Sequence, residues 1–242
     1  MELTNKVALI TGGSHGLGFA LAGTLGKRGA RVALVAREQS ALDEAVQSLR
    51  KQGIEALGIA ADVADKHAIY PLLGEVQGTL GAIDIVVHNA STLGHVPLRA
   101  LLDSDCEVLE QVFATNVLGP FRLSKAVAPA MVVRGEGALV HISSDAALNA
   151  YAHWGAYGTS KAALDHLARH FASELTDSGV HVLSIDPGEM DTTMHRDALP
   201  DADPGTLERP ENVAERIAQV LASNLAAHHG ARLLASQIGE RA

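Results

Sequence analysis

Short, continuously apolar runs alternate with longer stretches at helical spacing along the whole chain, and no other feature narrows the fold as far. The runs are residues 7–10, 32–36, 56–60, 83–88, 139–143 and 180–185, with a weaker seventh at 232–235. Between them, apolar positions recur at helical spacing over 17–28, 40–52, 66–79, 104–133, 156–177 and 211–222. Strands that read as solid Val, Ile and Leu, without alternation, are covered on both faces. Strand–helix alternation of this kind makes a parallel sheet, and right-handed crossovers place helices on both of its sides. The expected fold is α/β: a single domain over residues 1–242, built on a doubly wound parallel sheet of about seven strands. At 242 residues the chain is near the upper limit for one core, and no linker or internal repeat divides it. Only 191–210, with its Asp and Pro residues, has loop chemistry over a long stretch. Loops of that length are usually functional, so this segment is expected to be a substrate-binding lid.

Composition removes several classes of function. There are 19 basic and 28 acidic residues, and a net charge of -9 repels a phosphate backbone. The aromatic residues (1 Trp, 3 Tyr, 4 Phe) are too few for a base-stacking surface, so no nucleic acid partner is expected. Cys106 is the single cysteine, which suits a reducing compartment. The apolar run after Lys6 breaks at Thr11-Gly12-Gly13-Ser14-His15, unlike a signal peptide. No run approaches the roughly eighteen apolar residues of a membrane span. A cytoplasmic protein without a membrane partner is expected.

In an open parallel sheet, ligands bind beyond the carboxyl ends of the strands. Gly12 follows the first run, Arg37 the second, Asp62 the third, Asn89 the fourth, Ser144 the fifth and Pro187-Gly188 the sixth. The unusual residues therefore share one rim. The first turn reads Thr11-Gly12-Gly13-Ser14-His15-Gly16-Leu17-Gly18. Its glycines permit a tight turn and close approach of a pyrophosphate, and a helix opening near Gly16 aims its free N–H groups at that anion. Arg37 lies about twenty residues further on, where an acidic residue would hold a ribose hydroxyl and an Arg suits a 2′-phosphate. Glu38 beside it pulls the other way. NADP(H) is the expected cofactor, with NAD(H) as the alternative.

Tyr157 and Lys161 stand four apart in a helical stretch, hence on one face. A free phenol has a pKa near 10. A neighbouring ammonium lowers it, which yields a proton donor–acceptor for carbonyl/alcohol chemistry. Ser144 would bond the substrate oxygen. Tyr151 has Gly155 at the corresponding position and no such partner.

Together these residues resemble the short-chain dehydrogenase/reductase family, over roughly residues 6–235. The resemblance implies a Rossmann sheet and a cofactor turn from Thr11 to Gly18, with Ser14, His15, Gly16 and Leu17 lining the phosphates. It implies that Asp62-Val63 contact adenine and that His88-Asn89-Ala90-Ser91 takes the place of the family's Asn-Asn-Ala-Gly. Pro187, Gly188, Met190 and Thr192 would adjoin the nicotinamide. Asn116 would hold a proton-relay water, completing a catalytic set with Ser144, Tyr157 and Lys161. Arg37 would mark the NADP(H)-preferring branch. The implied reaction is hydride exchange between nicotinamide and a carbonyl or secondary alcohol. The implied assembly is a homodimer or homotetramer through the helices at 104–133 and 156–177. The tail 232–242 departs from the family's closing Asp-Gly-Gly, and His88 and Ser91 depart from its fourth-strand motif.

His95, Asn149, His153, Trp154, Met194 and His195 are the expected substrate-facing residues. His166 and His170 share a helix face but lack a third ligand, so no metal is expected. Two other functions stay open: an NAD-dependent alcohol dehydrogenase working oxidatively, and a non-catalytic cofactor sensor on the same fold.

Overall fold

The computed structural model describes residues 1–239, so the last three residues of the departing tail lie outside the described residues. Seven parallel strands form one sheet in the order β3-β2-β1-β4-β5-β6-β7. They are β1 (Val7–Thr11), β2 (Arg31–Ala36), β3 (Ala56–Ala60), β4 (Ile85–His88), β5 (Gly137–Ile142), β6 (Val180–Asp186) and β7 (Arg232–Leu234). The order reverses between β1 and β4, which opens a crevice at their carboxyl ends.

Alternate residues of each strand bury into different layers. Ala8 and Ile10 of β1 pack under α1 (Gly16–Lys27), α2 (Gln39–Lys51) and α8 (Pro210–Ala222). Val7 and Leu9 pack under α3 (Ile69–Leu80), α5 (Gly119–Arg134) and α6 (Gly155–Glu174). The solid apolar runs are thus the signature of two cores sharing one sheet.

Three expected elements differ. The helix expected from residue 66 begins at Ile69, because the Asp65 carboxylate accepts from the His67 amide at 2.8 Å and holds those residues in a turn. The helix expected over 104–133 is α4 (Cys106–Phe113), a π turn (Ala114–Leu118) and then α5. A π turn adds a residue to the helix and re-aims its side chains; here it sends Asn116 inward. The expected lid, 191–210, contains structure of its own. Thr192 caps α7 (Thr193–Ala198) by accepting from the His195 amide at 3.2 Å, and Met190 bridges to Glu208. Among the described residues, no helix is long and apolar enough to cross a membrane.

Leu34 of β2 is fully buried, and its Cβ lies 2.9 Å from where a Gly13 Cβ would stand, so it supports both core and turn. Leu34→Ala is expected to cost about 2–5 kcal/mol in urea unfolding. A loss below about 0.5 kcal/mol would contradict this packing.

Candidate active site

The turn after β1 is strapped to the end of β4. Thr11 Oγ1 accepts from the amides of Asn89 (3.1 Å) and Ala90 (3.0 Å). Asn89 Nδ2 donates to the carbonyls of Thr11 and Gly12, both at 3.0 Å. Gly12 has φ +65°, a left-handed conformation that glycine adopts without strain. A Cβ on Gly18 would stand 2.3 Å from the Gly12 carbonyl oxygen, so the helix packs against the turn with no room for a side chain. His15 precedes α1 in an extended conformation without capping it, and its Nδ1 lies 2.8 Å from Ser14 Oγ. The first amides of α1 are therefore free to face an anion. This cradle fits a dinucleotide diphosphate.

Across the crevice, Tyr157 is buried near the start of α6, edge-on to Trp154 at 5.7 Å between ring centroids. Lys161, one turn on and 2% exposed, places Nζ 5.5 Å from the Tyr157 ring centroid and donates to the Ile142 carbonyl at 2.7 Å. Burial lowers its pKa to about 8, while Asp165 and Asp186 pull it upward. The phenol departs from expectation. Burial, reinforced by Asp186 and Asp145, pushes Tyr157 up to about 12, against the opposing pull of the Ser144 and Ser91 hydroxyls. Desolvation of a phenolate outweighs an ammonium held at this distance by a carbonyl.

Asn116 is buried and fully engaged. It accepts from the Thr92 amide at 2.8 Å and donates to the Thr92 carbonyl and Ser160 Oγ, both at 2.9 Å. Ser160 in turn donates to the Tyr157 carbonyl at 2.6 Å, so the π turn grips the helix segment carrying Tyr157 and Lys161. Beneath them, His88 and His141 stack at 4.6 Å, with His88 Nε2 2.8 Å from Ser124 Oγ. Burial holds both imidazoles neutral, His141 at about 4 and His88 well below its ordinary value.

One cavity of about 730 Å³ joins these parts. Gly12, His15, Gly16, Leu17, Asn89, Ala90, Ser144, Tyr157, Lys161, Pro187, Gly188, Met190 and Thr192 all line it, as do Trp154, Met194 and His195. Thr11, Gly18 and Asn116 support it from behind through the contacts above. Arg37, exposed just past β2, and Asp62-Val63, past β3, lie on the same rim outside the cavity. Asp62 Oδ1 accepts there from the Ala64 amide at 2.9 Å. Three expected substrate contacts do not line the cavity. His95 pairs with Asp105 at 3.3 Å, Asn149 is exposed, and His153 is exposed at φ +71° in the turn before α6.

Sequence reasoning misses Asp145. Ser144 Oγ donates to its Oδ1 at 3.1 Å, and Tyr151 donates to its Oδ2 at 2.7 Å, which raises the Tyr151 pKa. An acid directly after Ser144, with a tyrosine six residues on, is the signal that could have found it. Leu93, Leu199 and Leu234 add apolar walls from elements far apart in sequence. His166 and His170 meet at 3.2 Å between their Nε2 atoms, but among the described residues no three potential ligands cluster for a metal.

A phosphate cradle at the switch point, facing a buried phenol and ammonium, defines a dinucleotide-dependent oxidoreductase on a Rossmann-type sheet. Residues 6–203 match the family model described as short chain dehydrogenase. The bovine (Bos taurus) protein named dehydrogenase/reductase SDR family member 4 is 35% identical over 194 residues, 80% of this chain and 69% of that one. Among solved structures, an NAD+-bound xylitol dehydrogenase superposes with a TM-score of 0.87 at 25% identity, covering 97% of this chain and 98% of its own. L-Sorbose reductase from Gluconobacter frateurii, complexed with NADPH and L-sorbose, does so at 0.85 and 28% identity, covering 97% of each chain. The chain belongs to the short-chain dehydrogenase/reductase family: it is an NAD(P)-dependent oxidoreductase acting on a small molecule.

Gly18→Ala should weaken binding of reduced cofactor about tenfold or more, since its Cβ would push on both the Gly12 carbonyl and Asn89 Nδ2, 2.6 Å away. Cofactor fluorescence titration of a variant with unchanged circular dichroism measures this. Wild-type affinity would show that the turn is not the binding element.

Proposed function

We propose that the protein is an NADP(H)-dependent carbonyl reductase in which Tyr157 is the proton donor. The observation that carries this reading is the buried Tyr157 phenol beside Lys161 in the cavity that also holds the glycine turn. The turn and the α1 amides would hold the diphosphate; Asn89, Ala90, Pro187, Gly188, Met190 and Thr192 would hold the nicotinamide end, and Asp62-Val63 the adenine. Bound NADPH supplies the hydride, redox chemistry no side chain here provides.

The substrate carbonyl is fixed by Tyr157 and Ser144, and Tyr157 donates its proton to the oxygen as negative charge develops there. A phenol at about 12 stays protonated through neutral pH, which suits reduction better than alcohol oxidation. Lys161 stabilises the phenolate left behind and would also hold the nicotinamide ribose. Asn116 keeps α6 in register through Ser160. Trp154, Met194, Leu93 and Leu199 favour the apolar part of a ketone or aldehyde. Residues 191–210 act as the lid through α7, whose Met194 and His195 face the cavity.

Preference for NADP(H) is supported by Arg37, exposed past β2 and, among the described residues, held by no ion pair. An Arg–phosphate bond contributes about 1.5–3 kcal/mol, or one to two decades of preference. Exposed Leu109 on α4, with Phe121 and Val133 on α5, supports a homodimer or homotetramer built on the helices at 104–133 and 156–177. A cytoplasmic location accords with the exposed free thiol of Cys106.

Tyr157→Phe should lower turnover of a ketone panel by at least about 1,000-fold and leave NADPH affinity within about threefold. Retained turnover would remove Tyr157 from the chemistry. Because Lys161 must be cationic, kcat/KM for reduction should be level below its pKa of about 8 and fall above it. A fall beginning only near 10 would contradict the buried-ammonium reading. Arg37→Ala should erode the NADPH-over-NADH ratio of kcat/KM by one to two decades. An unchanged ratio would exclude Arg37 as its source.

A further inference from the structure

The last strand contributes a charge that the reaction scheme does not use. Arg232 of β7 sits beside β6, in register with Ser184, and its guanidinium reaches three elements at once. Nε donates to Asp165 Oδ2 at 3.0 Å, one turn beyond Lys161 on α6. Nη2 donates to Asp186 Oδ2 at 2.9 Å, at the end of β6, and to the Ser144 carbonyl at 2.8 Å, just past β5. Ser143 Oγ adds a 2.7 Å bond to the same oxygen of Asp165. The Asp186 carboxylate is shared forward as well, accepting from the Gly188 amide at 3.0 Å. Both carboxylates are 5% exposed, and the guanidinium is the charge they are paired with.

We propose that Arg232 is a positioning residue for the reduction, a clamp that holds the Ser144 backbone, the Lys161-bearing helix and the Pro187-Gly188 segment in one geometry. The proposal rests on the reductase reading for its kinetic consequence but not for its electrostatic one. Five groups bear on the Lys161 ammonium: Asp165 and Tyr157 on its own helix, His141 on β5, Asp186 on β6, and Arg232 on β7 through the two carboxylates. His141 is neutral and Tyr157 protonated near pH 7, so the balance is two carboxylates against two cations. Removing the guanidinium leaves both carboxylates to Lys161 alone. Its proton is then held more tightly, and the alkaline fall in kcat/KM moves upward. Packing damage alone would not move it in that direction.

The test compares Arg232→Met and Arg232→Lys with wild type in the full chain, each first checked by circular dichroism and thermal unfolding. Arg232→Met should lower kcat about 10–100-fold, with a smaller change in KM for NADPH, and shift the alkaline fall upward by about one pH unit. Arg232→Lys restores the charge without the planar fork, so the fall should return toward its wild-type position while kcat stays reduced. Should Arg232→Met not fold, Asp165→Asn is read in its place, with the fall moving downward. An unmoved fall in Arg232→Met, or in Asp165→Asn if that variant is needed, overturns the clamp. The same titration is followed without turnover by the pH dependence of Lys161 acylation, read by peptide mass spectrometry. Silence on every carbonyl would defeat the reductase reading, while the acylation profile still decides the role of Arg232.

Discussion

An ammonium removed from water costs several kcal/mol unless its charge and its protons are matched nearby, and the carboxyl rim of this sheet is organised around one such group. Lys161 is 2% exposed and bonds the Ile142 carbonyl at 2.7 Å. Its charge is offset by Asp165 from its own helix and Asp186 from β6. Those carboxylates are held by Arg232 from β7, which also takes the Ser144 carbonyl. Four elements, β5, β6, β7 and α6, are thereby fixed relative to one another at the rim. The π turn adds a fifth hold through Asn116 and Ser160. Tyr157, one turn before Lys161, inherits its position from all of them.

The same burial decides the charge of the phenol. A lysine four residues away suggests a lowered tyrosine pKa, and in water the sign would be right. Here Nζ lies 5.5 Å from the ring centroid and is already engaged, while the phenolate would lose its hydration beside Asp186 and Asp145. Desolvation wins, and the resting group is a neutral donor. Its lysine, lowered to about 8, carries the pH sensitivity that the phenol does not.

What is legible in the sequence is what is local. β3 matches its apolar run to the residue and β6 to within one, because a short apolar run between turn residues is a local signal. The rim residues are legible because topology alone puts Gly12, Asn89, Ser144 and Gly188 at one edge. The π turn is not. Ala-Thr-Asn-Val-Leu keeps helical apolar spacing, and the cause of its distortion lies 24 and 44 residues away, at Thr92 and Ser160. Helix α7 is hidden in the Asp- and Pro-containing stretch because a single threonine cap starts it. Nearness in sequence to Ser144 and Tyr157 points Asn149 and His153 toward the cavity, yet a left-handed turn at His153 leaves that side chain exposed. Arg232 gives no local sign, since its partners are set by the stacking of β6, β7 and α6.

The most direct measurement is the ionisation of Tyr157 itself. The chain has 3 tyrosines, so 13C labelling at the phenol ζ carbon with Tyr157→Phe as the assignment control isolates its resonance. In the protein without nucleotide, the Tyr157 signal should remain that of a neutral phenol past the ordinary tyrosine pKa of about 10. A phenolate signal at pH 7–8 would show that the ammonium governs the phenol, and would contradict the dominance of desolvation at this site.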